Sequence, residues 1–333
     1  MKQLLSIIFL GATCFLYSCQ KEFSIEGAGI AGSGDTNSGT SAGSLGGTPG
    51  ACANAVVNGV YAQGVSLTDS TKYLTVSVTI TTPGTYTIGT DTVNGIYFLK
   101  SGTFTDSGTQ SVTLKAFGTP ANPGLFTNTV KYKGSSCSFE VEVLAVATPN
   151  GTDYFPTTTN SNWTYKDLFS TDTFRVTATG VNRDLAGNTY TTFFYDNGSS
   201  PDSFFYRKGS GLYYQYFTDL AGSGVGGEYI FLKDNVPVNT QWESAEYIIN
   251  TPPIVGKAKF RLTIIEKNTT KVVGSKAFAN TIVVKQELLF SLAGAPYITT
   301  ENSELWYAKG IGMINQIDAS SPFTTELTRY QVF

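Results

Sequence analysis

From Lys72 to Ile80 the apolar side chains Leu74, Val76, Val78 and Ile80 alternate with Thr75, Ser77 and Thr79. A period of two predicts a strand with one buried and one wet face. The alternation returns in Ser138–Val143, where Phe139, Val141 and Val143 interleave with Glu140 and Glu142. Shorter strand-like runs are Val56–Tyr61, Thr85–Ile88, Ile96–Phe98, Gln110–Ala116 and Thr127–Lys133. Pro83-Gly84, Asn94-Gly95, Ser107-Gly108 and Pro123-Gly124 separate them, and all four pairs are turn signals.

Short strands at this spacing, about seven in one segment, predict an immunoglobulin-like β-sandwich over residues 52–148. Pro149-Asn150-Gly151 reads as a hinge, and residues 152–333 as a second β-unit. Its strand-like runs are Trp163–Lys166, Thr173–Thr179, Thr189–Tyr195, Ser203–Arg207, Leu212–Phe217, Glu228–Leu232, Lys257–Lys267, Lys271–Gly274, Thr281–Leu288, Glu304–Lys309, Met313–Ile317 and Glu326–Val332. No helical stripe interrupts them. The expected fold is therefore all-β, the sandwich being followed by an antiparallel meander of about ten strands curled into a half-barrel or open barrel.

The N-terminus follows a different pattern. Lys2 precedes an apolar stretch from Leu4 to Leu16, too short for a spanning helix of about 20 residues but suited to a signal-peptide core. It ends in Leu16-Tyr17-Ser18-Cys19, which resembles a bacterial lipobox, and Gln20-Lys21-Glu22 is similar to the charged segment that follows the lipidated Cys in surface lipoproteins of the Bacteroidota. The resemblance implies a signal peptide over residues 1–18, acylation of Cys19, a membrane partner reached through that lipid anchor, and export to the outer face of the outer membrane. Residues 20–51 are rich in Gly, Ser and Thr. Together with Cys19 they read as a flexible tether over 19–51, spanning roughly 30 Å.

Two further resemblances follow. Gly84-Thr85-Tyr86, Val93-Asn94-Gly95, Gly102-Thr103-Phe104, Gly108-Thr109-Gln110 and Gly118-Thr119-Pro120 together resemble a sandwich repeat of surface and adhesive proteins in the same bacteria. Tyr154-Phe155-Pro156, Trp163-Thr164-Tyr165, Trp306–Gly312 and Glu326–Tyr330 are similar to an uncharacterised lipoprotein domain that brings no activity with it.

Composition narrows the chemistry. The chain has 333 residues and four Cys but no His, and its net charge is −3. Triads, Cys–His pairs and His-bound zinc are excluded, and there is no basic footprint for nucleic acid. Cys14 falls in the signal segment and Cys19 in the lipobox, which leaves Cys52 and Cys137. In an oxidising compartment they are expected to form a disulfide, the first strand lying parallel to the last; two free buried thiols are the alternative. Among acid–base candidates, Asp184, Asp202, Glu243, Glu246 and Glu304 show no spacing that singles out a pair. No catalytic residue, metal or cofactor is assigned, and the protein is expected to be non-enzymatic.

Residues 193–217 contain ten aromatics. Tyr195, Tyr206, Tyr213, Tyr214 and Tyr216 are the candidate binding face, since Tyr joins a stacking surface to a hydrogen-bonding tip. A glycan or a protein would suit an exposed platform. An apolar ligand would instead require a closed cavity, and rings that merely fill a wide sheet are the plainer alternative.

Overall fold

The computed structural model describes residues 39–333 apart from 69, 149–150, 199–200, 221, 252–253, 293 and 320–322. The signal segment, Cys19 and the first part of the expected tether lie outside the described residues. Among those described, every regular element is a strand.

The first unit contains β1 (Ala42–Leu45), β2 (Val56–Asn58), β3 (Tyr61–Ala62), β4 (Tyr73–Thr82), β5 (Gly84–Thr90), β6 (Ile96–Phe104), β7 (Gly108–Gly118), β8 (Gly124–Tyr132) and β9 (Ser135–Leu144). They pair in the order β1-β4-β7-β6-β5-β8-β9-β3. The inward residues of β4 are the predicted Leu74, Val76, Val78 and Ile80, which meet Ile88, Phe98, Leu114, Val130 and Val141 in one core. Cys52 and Cys137 are bonded, with Cα atoms 4.9 Å apart. The parallel neighbours expected around them are present: Ala51 bridges Ser138, and β3 runs parallel to β9 with Tyr61 opposite Val143.

Two expectations need correction in this unit. Val56–Tyr61 is not one strand, because β2 pairs antiparallel with β4 whereas β3 crosses to β9. The break falls at Gly59, whose φ is +88° and where any Cβ would meet the Thr71 carbonyl oxygen at 2.9 Å. The tether also ends earlier than residue 51. β1 pairs antiparallel with β4, Leu45 enters the core, and Ser41 Oγ lies 2.8 Å from the Tyr132 hydroxyl. Small residues that read as coil permit this close approach, since a Cβ on Gly43 would stand 2.3 Å from the Thr79 carbonyl oxygen.

The connecting β10 (Val146–Ala147) pairs in parallel with the second unit. That unit comprises β11 (Asn162–Asp167), β12 (Thr173–Leu185), β13 (Asn188–Asp196), β14 (Asp202–Gly209), β15 (Leu212–Phe217), β16 (Gly227–Lys233), β17 (Gln241–Glu243), β18 (Tyr247–Thr251), β19 (Ile254–Val273), β20 (Lys276–Leu292), β21 (Ile298–Ala308), β22 (Gly312–Asp318) and β23 (Thr324–Gln331). Two antiparallel meanders, β11 to β16 and β19 to β23, are joined where β11 pairs with β23. The runs Lys257–Lys267 and Lys271–Gly274 merge into the single strand β19, which ends at Val273 and in which bulges near Asn268 absorb the apparent gap.

The sheet curls until its edges meet. β16 is one edge, while β17 and β18 pair with β19 at the other. Side chains stitch the seam between them: Trp242 Nε1 donates to the Ile230 carbonyl at 2.8 Å, and the Tyr247 hydroxyl donates to the Glu228 carbonyl at 2.6 Å. The result is the expected open barrel.

Candidate functional site: an aromatic cavity inside the open barrel

Strand alternation decides which rings face inward. On β13 and β14, Phe193 stands opposite Phe204 and Thr191 opposite Tyr206, so Phe193, Tyr195, Phe204 and Tyr206 share the inner face. Trp163 and Tyr165 reach the same interior from β11, Tyr229 and Phe231 from β16, and Leu305 and Tyr307 from β21. They line a partly open cavity of about 360 Å³. Its walls also include Gln215, Gln286 and Gln316, and no Asp, Glu, Lys or Arg.

Residues 153–156 plug one end. Phe155 lies 4.7 Å from the Tyr206 ring and 5.1 Å from Phe231, between centroids. Polar contacts hold the plug: Gly310 N donates to the Asp153 carbonyl at 2.6 Å, Lys208 Nζ donates to Asp153 Oδ2 at 2.7 Å and to the Phe155 carbonyl at 3.2 Å, and Tyr154 N donates to the Tyr213 hydroxyl at 3.1 Å. Tyr213 in turn donates to Asp234 at 2.7 Å.

The walls are polar at a few points. The Tyr229 hydroxyl lies 2.9 Å from Gln215 Oε1 and 3.4 Å from Gln286 Oε1. The Tyr165 hydroxyl donates to the Met313 carbonyl at 2.9 Å, and Trp163 Nε1 donates to the Ile311 carbonyl at 2.5 Å. Burial pushes the Tyr165, Tyr206, Tyr229 and Tyr307 hydroxyls above the ordinary tyrosine range, so all four stay protonated at neutral pH.

The five tyrosines predicted to form one face do not share one. Tyr195 and Tyr206 line the cavity, and Tyr213 is buried at the plug. Tyr214 and Tyr216 point the other way, because Tyr214 stands opposite Arg207 and Tyr216 opposite Phe205. A run of adjacent aromatics on one strand must serve both sides of the sheet.

On that outer face Glu228 accepts from Arg207 Nε at 2.5 Å and Nη2 at 2.6 Å, and the Tyr190 hydroxyl donates to the same carboxylate. The guanidinium lies 3.6 Å from the Tyr214 ring centroid. Burial first, then the Glu228 hydrogen bond, pushes the Tyr190 hydroxyl up to about 12. Its unfolded value is the ordinary 10.0. Neutral Tyr190 therefore contributes stability that is whole below the unfolded value and is lost as pH rises through the folded one. Wild type should lose stability more steeply than Tyr190→Phe between these two values, measured by denaturant melts across that range. Equal slopes would remove the assignment.

None of the five sequence-level carboxylates lines the cavity. Glu243 is held by Lys259 and Arg261, Glu246 by Lys257 and Tyr297, and Asp184 accepts from Thr189. Asp202 accepts from Ser203 N, and Glu304 lies 3.4 Å from Trp306 Nε1. Among the described residues no three His, Cys, Asp or Glu side chains group as metal ligands. Phe155, Trp163, Tyr165, Phe174, Tyr229, Phe231 and Tyr307 are cavity residues that the sequence pattern did not assign to a site. Their signal was the inward alternation of Trp163 with Tyr165, Tyr229 with Phe231, and Leu305 with Tyr307.

Fold and cavity together define an all-β protein with an open barrel curled around an aromatic interior. No protein-family model and no curated protein matches the chain. Two solved structures are similar to it. One is a predicted lipoprotein from Parabacteroides distasonis, 15% identical, covering 54% of this chain and 99% of its own with a TM-score of 0.37. The other is a predicted exported protein with a YmcC-like fold from Bacteroides fragilis, 12% identical, with the same coverages and a TM-score of 0.30.

Proposed function

We propose that the protein is a lipid-anchored, non-enzymatic component of the bacterial cell envelope whose second unit holds a small apolar ligand inside the open barrel. The immunoglobulin-like first unit serves as the spacer between the acylated Cys19 and the barrel. The observation that carries the binding role is the cavity itself. Its volume lies at the lower end of the ligand-pocket range, which runs from about 300 to 1,000 Å³. A well-packed domain leaves few voids larger than a water molecule, so a ring-lined space of about 360 Å³ calls for an occupant. The geometry favours this reading over a displayed aromatic platform, because the rings of Tyr195 and Tyr206 turn inward.

The neutral dye N-phenylnaphthylamine, bright only in apolar surroundings, tests the cavity. Wild type is expected to bind it at one saturable site. Val176→Trp, which extends a wall residue into the space, should abolish the site at a packing cost of about 1–3 kcal/mol. Identical titrations of the two proteins would refute the reading. The anchor has a separate test: Cys19→Ala, expressed in the native host, is expected to leave the membrane fraction. Persistence there would exclude acylation as the tether.

A further inference from the structure

The cavity-binding reading leaves the ligand's chemistry open, and the hydrogen-bonding state of the walls restricts it. We infer that the cavity accepts an electrically neutral molecule bearing hydrogen-bond acceptors, such as a ketone, ester or ether oxygen on an apolar body, and rejects carboxylates. This inference rests on that reading and adds the ligand class.

Charge is excluded first. The described lysines and arginines of the second unit that hold ion pairs lie outside the lining: Arg207 with Glu228, Lys208 with Asp153, Lys257 with Glu246, Lys259 and Arg261 with Glu243, Lys271 with Glu266 and Lys285 with Glu287. An anion entering the cavity would lose its water and find no cation. A cation would meet no carboxylate.

Several donors of the lining have no described acceptor. Tyr206 and Tyr307 line the cavity, and their hydroxyls donate to no described residue. The Tyr229 hydroxyl donates to Gln215 Oε1 at 2.9 Å, with Gln286 Oε1 farther off at 3.4 Å, and the amide N–H groups of both glutamines donate to no described residue. The Tyr206 and Tyr307 hydroxyls are protonated at neutral pH, as an ordinary tyrosine is, and burial raises them further. A plain hydrocarbon would displace water from these groups and leave them unpaired, and an unpaired buried donor is costly. A ligand with one or two acceptor oxygens satisfies them.

A matched series tests this: naphthalene, methyl naphthyl ketone and naphthoate share the ring system and differ in the polar group. Titrated at neutral pH and followed by tryptophan fluorescence, to which Trp163 in the cavity wall contributes, the ketone is expected to bind tightest. Naphthalene should bind about tenfold more weakly, the loss of roughly one hydrogen bond. Naphthoate should bind at least about 100-fold more weakly, and should regain affinity at a pH low enough to protonate it. Tyr206→Phe and Tyr307→Phe, which keep the rings, are expected to lower ketone affinity and to raise naphthalene affinity, so that the two converge. A naphthoate affinity equal to the ketone's, or a naphthalene affinity equal to it, would overturn the ligand class while leaving the cavity reading intact. If none of the three bound and the dye also failed, the cavity reading itself would fall.

Discussion

Replacing both Cys52 and Cys137 with Ala is expected to lower the melting temperature of the first unit on the order of 20–30 °C while leaving the second unit's transition in place. The bond closes a separation of 85 residues, for which chain entropy gives about 4.5 kcal/mol. In a unit of this size each kcal/mol moves the midpoint by about 4–8 °C. The sequence supplies a clean reporter, because Trp163, Trp242 and Trp306 all lie in the second unit. Tryptophan fluorescence should therefore melt as in wild type, while the far-ultraviolet circular dichroism of the strands splits into two steps. A fluorescence transition that fell together with the first unit would show that the halves unfold as one body, and the division near residues 149–151 would be wrong.

Phe193→Ala should destabilise the second unit by about 3–5 kcal/mol, whereas Phe194→Ala should change it by less than about 0.5 kcal/mol. The two residues are chain neighbours on β13 but face opposite ways. Phe193 is 0% exposed, stacks 5.9 Å from Trp163 and meets Tyr206 edge-to-face at 5.0 Å, while Phe194 is 40% exposed. Truncating Phe193 removes the shared wall of the cavity and one of its two core clusters. Denaturant melts followed by tryptophan fluorescence measure both variants. Comparable losses at the two positions would mean that Phe193 does not stand opposite Phe204 and that β13 is displaced by one residue against β14, since a slip of one exchanges its faces.

That pair also shows what could be read from the sequence. The alternation of Leu74, Val76, Val78 and Ile80 specifies a half-buried strand without further information, and the structure has that strand. The parallel approach of the Cys52 and Cys137 segments followed from the disulfide, because bonded cysteines must bring their strands together. Phe193-Phe194-Tyr195 carries no such polarity. With apolar residues at every position, its inner face is set by partners far away, such as Phe204 on β14 and Phe155 in the plug. The cavity was hidden for the same reason: Trp163, Tyr229 and Tyr307 are distant in sequence and converge only when the sheet curls. Two short strands, β17 and β18, leave no mark of their own in the sequence because each depends on pairing with β19. β1 is equally silent, because Gly and Ser serve as well in a coil as in a tightly packed edge.

The outer cluster of Arg207, Glu228, Tyr190 and Tyr214 is the polar counterpart of the cavity on the other side of the same strands. Arg207 holds β14 to β16 across the intervening β15, so this cluster fixes the curvature that brings Tyr206 and Tyr229 round the same space. A bidentate Arg–carboxylate contact stacked on a ring resists rotation better than a single hydrogen bond.

Crystals soaked in a brominated methyl naphthyl ketone provide the most direct test of the binding site. The anomalous signal of bromine is predicted inside the second unit, bounded by Tyr206, Tyr229 and Tyr307. Bromine found only against Tyr214 and Tyr216 on the outer face, with the interior empty at saturating ketone, would contradict the account.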